Sequence, residues 1–207
     1  MKKIALLLVV CLGLCPLALA QPQISGPLSG TMGPGTYLVV GNCTVNGGQI
    51  LILLPGTTFL FAGHYDLVVN TYGRLHAIGT AEDSIVFTRQ NPDTACDWGG
   101  IRFPYGSYAD TLSYCLFEYA TYHPTPNVNG GALFIQTAGM KVTHCTFANN
   151  AAQDGGGIYV NTSSGTISDC AFINNSASQN GGGLNLMWSS NITVSNCLFL
   201  NNASHGT

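Results

Sequence analysis

Apolar residues in this chain come in short runs of four to eight, alternating with polar ones and bounded by Gly, Asn, Pro or Asp. I-L-I-L-L-P-G-T-T-F-L-F (50–61), S-I-V-F-T (84–88) and L-S-Y-C-L-F (112–117) are examples. Alternation with a period of two marks strands that bury one face. Beyond the first twenty residues, no stretch of a dozen carries the i, i+3, i+4, i+7 apolar face of a helix. The pattern predicts an all-β protein.

The strands also recur at a fixed distance. Phe147, Phe172 and Phe199 are 25 and 27 residues apart, and Asn150, Asn175 and Asn202 keep the same offsets. Gly131, Gly157 and Gly183 are separated by 26 and 26. The unit reads Gly-Gly, apolar strand, turn, I/V-x-x-C-x-F strand, Asn-Asn turn, then Gly-Gly again. Upstream the period is weaker. The step from Cys115 to Cys145 is 30, which places an insertion of about four residues in E-Y-A-T-Y-H-P-T-P-N-V-N (118–129). W-G-G-I-R-F (98–103) matches the later G-G-x-apolar strands, and Gly48, Gly73 and Gly99 continue the spacing at 25 and 26. A 25–27-residue unit of two or three short strands without a helix is one coil of a parallel β-helix. The leucine-rich-repeat frame is missing, and a propeller blade needs about 40 residues. The chain holds roughly seven such coils.

In such a solenoid equivalent residues stack about 4.8 Å apart. Phe147, Phe172 and Phe199 then form an aromatic column, and Leu133, Ile158 and Leu184 an aliphatic one. No coil buries its own face, so neighbours stabilise each other. Asn150, Asn175 and Asn202 are placed to brace a turn and to bond one another along the axis. The glycines turn the chain where φ is positive or a β-carbon would clash. A phosphate-binding glycine loop precedes a helix and occurs once; G-G-G (155–157) precedes a strand and recurs.

The first twenty residues belong to a different class. Lys2 and Lys3 precede an apolar stretch, Ile4 to Leu14, and Ala18-Leu19-Ala20 forms a small-x-small cleavage site before Gln21. This is a secretory signal peptide, 1–20, cleaved near Ala20. Acylation at Cys15 is the weaker reading, because bulky Leu14 stands where a small residue is needed. After cleavage Arg74, Arg89, Arg102 and Lys141 face nine acids, for a net charge of −5. Nucleic-acid affinity rests on phosphate contacts from basic groups, so no nucleic acid is expected as a partner.

Cys43, Cys96, Cys115, Cys145, Cys170 and Cys197 follow the leader. An even count invites disulfides, but the last four sit at one place in the repeat, which favours a column of buried thiols. Whether Cys43 and Cys96 are bridged stays open. No C-x-x-C pair marks a zinc site.

Catalytic signals are sparse. Hydrolases of this shape need paired carboxylates about 5–10 Å apart. The repeat region holds only Asp154 and Asp169, on different sides of one coil. Asn180 and His205 stack with the first, His144 and Asn196 with the second. Glu82 and Asp83 fall in a solvated turn. Asp93 and Asp97 flank Cys96, where a calcium site is the sharper but less favoured reading. Histidines 64, 76, 123, 144 and 205 show no ligand spacing, no G-x-S-x-G elbow occurs, and the sequons at Asn42, Asn161, Asn174, Asn191 and Asn202 are chance matches in an Asn-rich chain. No catalytic, cofactor-binding or metal-ligating residue is assigned. The best candidate for binding is aromatic: Trp98, Tyr105, Tyr108, Tyr119, Tyr122 and Trp188 as a sugar-binding face, with the Tyr119–Asn129 insertion as a functional loop. Packed aromatics and a solvated loop are the favoured alternative.

G-G-A-L (130–133), G-G-G-I (155–158) and G-G-G-L (181–184), each paired with F-x-x-N, resemble the GGA[ILV]/FxxN repeats of polymorphic outer-membrane proteins. More broadly the chain is similar to right-handed parallel β-helix proteins of the pectin-lyase-like superfamily. The specific motifs cover 130–207. Segments L-P-G-T-T-F-L-F (54–61), A-I-G-T-A-E-D-S-I-V-F-T (77–88) and D-W-G-G-I-R-F (97–103) resemble amino-terminal coils of secreted bacterial β-helix proteins less specifically. The resemblance implies a secreted or outer-membrane, cell-surface protein, anchored or sorted through a module beyond Thr207. The expected organisation is amino-terminal coils over 21–120 and GG/FxxN repeats over 121–207, truncated at the carboxyl end. The expected function is an exported non-catalytic scaffold or adhesin-like module, meeting surface glycans or cell-surface proteins. A carbohydrate-binding or polysaccharide-degrading β-helix is the alternative.

Overall fold

A computed structural model describes residues 21–91, 97–106, 110–121, 129–136, 139–188 and 191–206. Residues 1–20, read above as a signal peptide, Asp93, Cys96, Tyr108, Tyr122, His123 and most of the 119–129 insertion lie outside the described residues. No helix occurs among the described residues, and every strand pair is parallel.

The chain winds through three faces in turn. Face one stacks Asp66–Val69, Gly100–Phe103, Leu133–Gln136, Ile158–Asn161 and Leu184–Met187 below the second half of Gly35–Val45. Face two stacks Gly30–Met32, Ile50–Leu53, Arg74–Ile78, Asp110–Ser113, Gly139–Thr143, Ser164–Ser168 and Asn191–Ser195. Face three stacks the first half of Gly35–Val45 with Thr57–Phe61, Ile85–Arg89, Cys115–Glu118, Thr146–Ala148, Ala171–Ile173 and Leu198–Leu200. Gly35–Val45 thus bends round one corner and belongs to two faces: Tyr37 pairs with Phe59 and Cys43 with Leu67. A narrow fourth sheet of Ala151–Asp154, Ser176–Asn180 and Ala203–Ser204 forms a ridge between faces three and one. We call the turns from face one to two, two to three and three to one the first, second and third corners.

The solenoid closes about six turns, with seven strands on each of faces two and three and six on face one, close to the roughly seven coils that the repeat length predicts. Gly99 is out of the predicted column. Gly48 and Gly73 precede face-two strands, whereas Gly99 precedes the face-one strand Gly100–Phe103.

The predicted columns form and extend further than the repeat motif. Rings stack from Phe199 through Phe172, Phe147 and Phe117 to Phe87, with centroids 4.7–5.1 Å apart. Phe59 and Tyr37 continue the column edge-on. Leu133, Ile158 and Leu184 pair in register and prolong a column that begins at Cys43, Leu67 and Ile101. Burying each such side chain contributes on the order of 1.5–3 kcal/mol, and each ring pair about 0.5–1.5 kcal/mol more. The column ends exposed: Phe172 is fully buried and Phe199 is 49% accessible.

The Asn-Asn turn divides its work between its two residues. The first, Asn149, Asn174 or Asn201, takes the left-handed backbone at φ 57°, 53° and 53°. The second builds the ladder. Asn150 Nδ2 donates to Asn175 Oδ1 at 3.0 Å, and Asn175 Nδ2 to Asn202 Oδ1 at 2.9 Å. Each amide also donates to the carbonyl of a core Phe one coil back: Asn150 to Phe117, Asn175 to Phe147 and Asn202 to Phe172. The glycine run serves two needs. Gly155 has φ 65°, and at Gly156 a β-carbon would run into the Ser176 and Gly182 carbonyl oxygens of the next coil.

Candidate functional site

The densest polar cluster lies at the third corner of the middle coils. Arg89 ends a face-three strand, and its Nη1 donates to Asp97 Oδ1 at 2.7 Å. The other oxygen of Asp97 accepts from Thr121 Oγ1, also at 2.7 Å. The guanidinium carbon of Arg89 sits 4.1 Å from the centroid of the Tyr119 ring, a cation–π contact. Beside it Thr88 Oγ1 donates to Glu118 Oε1 at 3.0 Å. Both oxygens of Asp97 are engaged by protein, and Asp93 lies outside the described residues. The arrangement ties two successive passes of the chain together.

A second polar node flanks this one on face one. Asp66 opens one strand, and Arg102 Nε in the next coil stands 3.8 Å from its Oδ1. The Arg102 guanidinium also donates to the carbonyls of Gly99, Asn129 and Gly130. Burial raises the Asp66 pKa above the ordinary carboxylate value, and the charges of Arg102 and His64 pull it partly back. Asp110 is also buried, with its Oδ1 accepting from the Leu75 amide at 2.6 Å.

The proposed aromatic face does not assemble. Trp98 is fully buried, stacked on Phe61 at 4.4 Å, and its Nε1 donates to Glu118 O at 2.9 Å. It is a core plug. Tyr119 packs under Arg89. Tyr105 and Trp188 are exposed but lie at the first corner, across the molecule from Tyr119. Tyr72, passed over in the sequence, is exposed at that same corner. The signal that could have found it is a turn, V-N-T-Y-G (69–73), with a bulky ring where small residues are usual.

Both acids of the repeat region are hydrogen-bonded to the following coil. Asp154 Oδ1 accepts from the Asn180 amide at 3.0 Å and from Asn180 Nδ2 at 2.8 Å, so it is the first rung of its own short ladder. His205 does not join that column; its amide bonds Ala177 O, and Gly206 bonds Gln179 O. The bulge at Ser178–Gln179 causes the shift. Asp169 stacks between His144 and Asn196, as expected, and accepts from Asn196 Nδ2 at 3.3 Å. Above it the rings of Tyr114 and His144 stack at 4.6 Å.

Cys115, Cys145, Cys170 and Cys197 form a column of free thiols, and Cys43 is free as well. Each column thiol donates to the carbonyl two residues before it, at 3.2–3.4 Å. Burial pushes the Cys43 thiol up to about 11. Burial and contact with Cys115 hold Cys145 well above the ordinary range, and contact with Cys145 together with burial does the same to Cys170. Cys43, Cys115, Cys145 and Cys170 are buried and pack as small apolar groups. Among the described residues, no three His, Cys, Asp or Glu side chains converge as a metal site would require.

A family model for the right-handed β-helix region matches residues 82–207, more than half of the chain. The chain belongs to the right-handed β-helix family. No curated protein and no solved structure matches it. The ion pair of Arg89 with Asp97 stands at the third corner, that of Arg102 with Asp66 on face one, and the exposed rings of Tyr72, Tyr105 and Trp188 at the first corner.

Proposed function

We propose that this β-helix protein is an exported, non-catalytic scaffold that presents its corners at the cell surface, as an adhesin-like module does. The observation that carries the reading is what the acids do. Asp97 is held by Arg89 and Thr121, Glu118 by Thr88, Asp154 by Asn180, Asp169 by Asn196 and Asp110 by the Leu75 amide. Each carboxylate braces one coil against another. General acid–base cleavage of a polysaccharide needs carboxylates aimed at a common substrate position.

Export rests on the leader motif at 1–20. The leader and the finer resemblance to GGA[ILV]/FxxN surface repeats favour the secreted or outer-membrane setting, with partners among surface glycans or cell-surface proteins. The test has two arms. Purified protein incubated with pectin-like and neutral polysaccharides should release neither unsaturated nor reducing ends, and fluorescently labelled protein should be retained on intact cells. Sugar release above that of a heat-inactivated control would overturn the non-catalytic reading.

A further inference from the structure

We propose that the outer surface of face two in the amino-terminal coils is a dimer interface, packing on the same surface of a second copy across a two-fold axis parallel to the solenoid. The proposal goes beyond the scaffold reading above, and neither depends on the other.

The argument begins with a strand that breaks the alternation. Ile50–Leu53 and the residue after it, Leu54, read I-L-I-L-L, apolar on both faces. Leu51 and Leu53 point inward and are buried, whereas Ile50, Ile52 and Leu54 point outward and are 39%, 37% and 37% exposed. Ile78, beside Leu54 in the next coil, is 49% exposed. Elsewhere on this face the same outward positions are polar. Thr31 precedes Ile52 in its column, and His76, Thr111, Lys141, Thr166 and Thr193 follow it. After Ile78 come Ser113, Thr143, Ser168 and Ser195. The fold therefore accepts hydroxyl side chains on the outside of face two, and only two coils replace them with an apolar patch. Such a patch marks an interaction surface.

Charge decides the occupant and the arrangement. Arg74 stands next to Ile50 at the start of the second strand of the patch and is exposed. Glu82 and Asp83 stand at the second corner, where that strand leads, and are exposed as well. Opposite charges thus flank the patch at the two ends of its strands. Across a two-fold axis parallel to the solenoid, the strands of two copies face each other antiparallel. Ile52 then meets Ile52 of the second copy, Ile50 meets Leu54, and each Arg74 lies over the acids of the other copy. A two-fold axis along the strands would instead gather both Arg74 residues on one side and all the acids on the other. A membrane is the poorer occupant. Its anionic headgroups attract clusters of basic residues, and this patch has one cation, two acids and a chain of net charge −3 around it.

Size sets the strength. Two strands of five residues, at about 3.3 Å per residue and about 4.8 Å between strands, give a flat patch roughly 17 Å by 10 Å. The charged rims extend it at both ends. Contacts of this size belong to the low, reversible end of protein interfaces. Face-to-face sheets pack about 10 Å apart with their strands nearly aligned, which suits two flat faces without a ridge. Faces one and three and the third corner stay uncovered, so the dimer presents two copies of each.

The test is sedimentation velocity at protein concentrations up to about 1 mM, because contacts of this size are weak. A reversible monomer–dimer equilibrium is expected. The double variant Ile52→Thr/Ile78→Ser gives the patch the residue types of Thr111 and Ser113 in the following coil. It should weaken dimerisation at least tenfold. Arg74→Glu should weaken it too, and adding Glu82→Lys and Asp83→Lys to that variant should restore it. Damage to the fold would not be rescued by exchanged charges, and unchanged circular dichroism would certify each variant. A monomer at every concentration, whether or not it binds phosphatidylcholine vesicles, would overturn the interface. So would a dimer that survives Ile52→Thr/Ile78→Ser, or charge reversal without rescue. Sugar release and retention on cells test the scaffold reading separately, and a monomer that is retained on cells sinks the dimer alone.

Discussion

At the third corner of the late coils, Asn150, Asn175 and Asn202 repeat one set of hydrogen bonds. One and two coils earlier the same corner holds Ala120 and Trp98, joined by a parallel bridge. Asn150 still reaches up to bond the Ala120 amide at 2.9 Å, and there the ladder stops. Above it Trp98 fills the core, and the ion pair of Arg89 with Asp97 holds the outside. The late coils repeat at this corner, with Asp154 as the one fixed charge among the described residues there. The middle coils are individual, charged and interrupted by longer segments. The difference has a physical cause. A stacked amide satisfies its own donor, its acceptor and two backbone groups of neighbouring coils, so it works only where the next coil carries the same residue. Where a coil is irregular, each polar group needs a partner of its own.

Glycine substitutions should break that comparison most sharply. Gly156→Ala puts a β-carbon against two backbone carbonyls of the next coil, and should cost more than about 4 kcal/mol. Gly99→Ala in the middle coils meets the Asp66 carboxylate, a side chain that can move, and should cost far less. Urea midpoints of the two variants check this, and equal losses would refute the distinction. Next comes the ladder. Asn175→Ala strands the buried Phe147 carbonyl and the Asn150 amide, at about 3 kcal/mol. Asn202→Ala at the exposed edge should cost about half of that, because water can replace the lost partner. Thermal denaturation of the pair measures the difference.

Two smaller effects sharpen the other side. Arg89→Ala removes a half-shielded ion pair and a cation–π contact, and should cost about 1 kcal/mol, less in high salt. A loss as large as that of Asn175→Ala would mean that the middle corner is no looser than the ladder. The smallest concerns Asp66. Burial raises its folded pKa above the ordinary value of 3.8, so the folded state binds the proton more tightly than the unfolded chain. Stability therefore falls as pH rises through that window and stays lower above it. Asp66→Asn should be slightly more stable than the parent at neutral pH, with the gain fading below pH 3.8. A gain that persists in acid would mean that ionisation is not its cause.

Much of the fold is legible in the repeat. The Phe, Leu/Ile, Cys and Asn columns follow from one period, and all appear in register. The site was far less legible. Trp98 and Trp188 look alike in sequence, each beside a strand, yet one is a core plug and the other projects into water. Gly99 matched the spacing of Gly48 and Gly73 but serves another corner. His205 missed the Asp154 column because a bulge two residues upstream of Asn180 changed the register.

The sequence by itself determined the repeat, the strand class and the Phe, Leu/Ile, Cys and Asn columns. Those depend on side-chain alternation and on a coil length that neighbouring copies share, and both are local in the chain. Tertiary structure alone decided which carboxylate meets which base, which rings are covered and which corners stand open. Those depend on where residues 20 to 30 positions apart arrive after the coil has closed, and a one-residue bulge or a longer corner segment is enough to change the meeting.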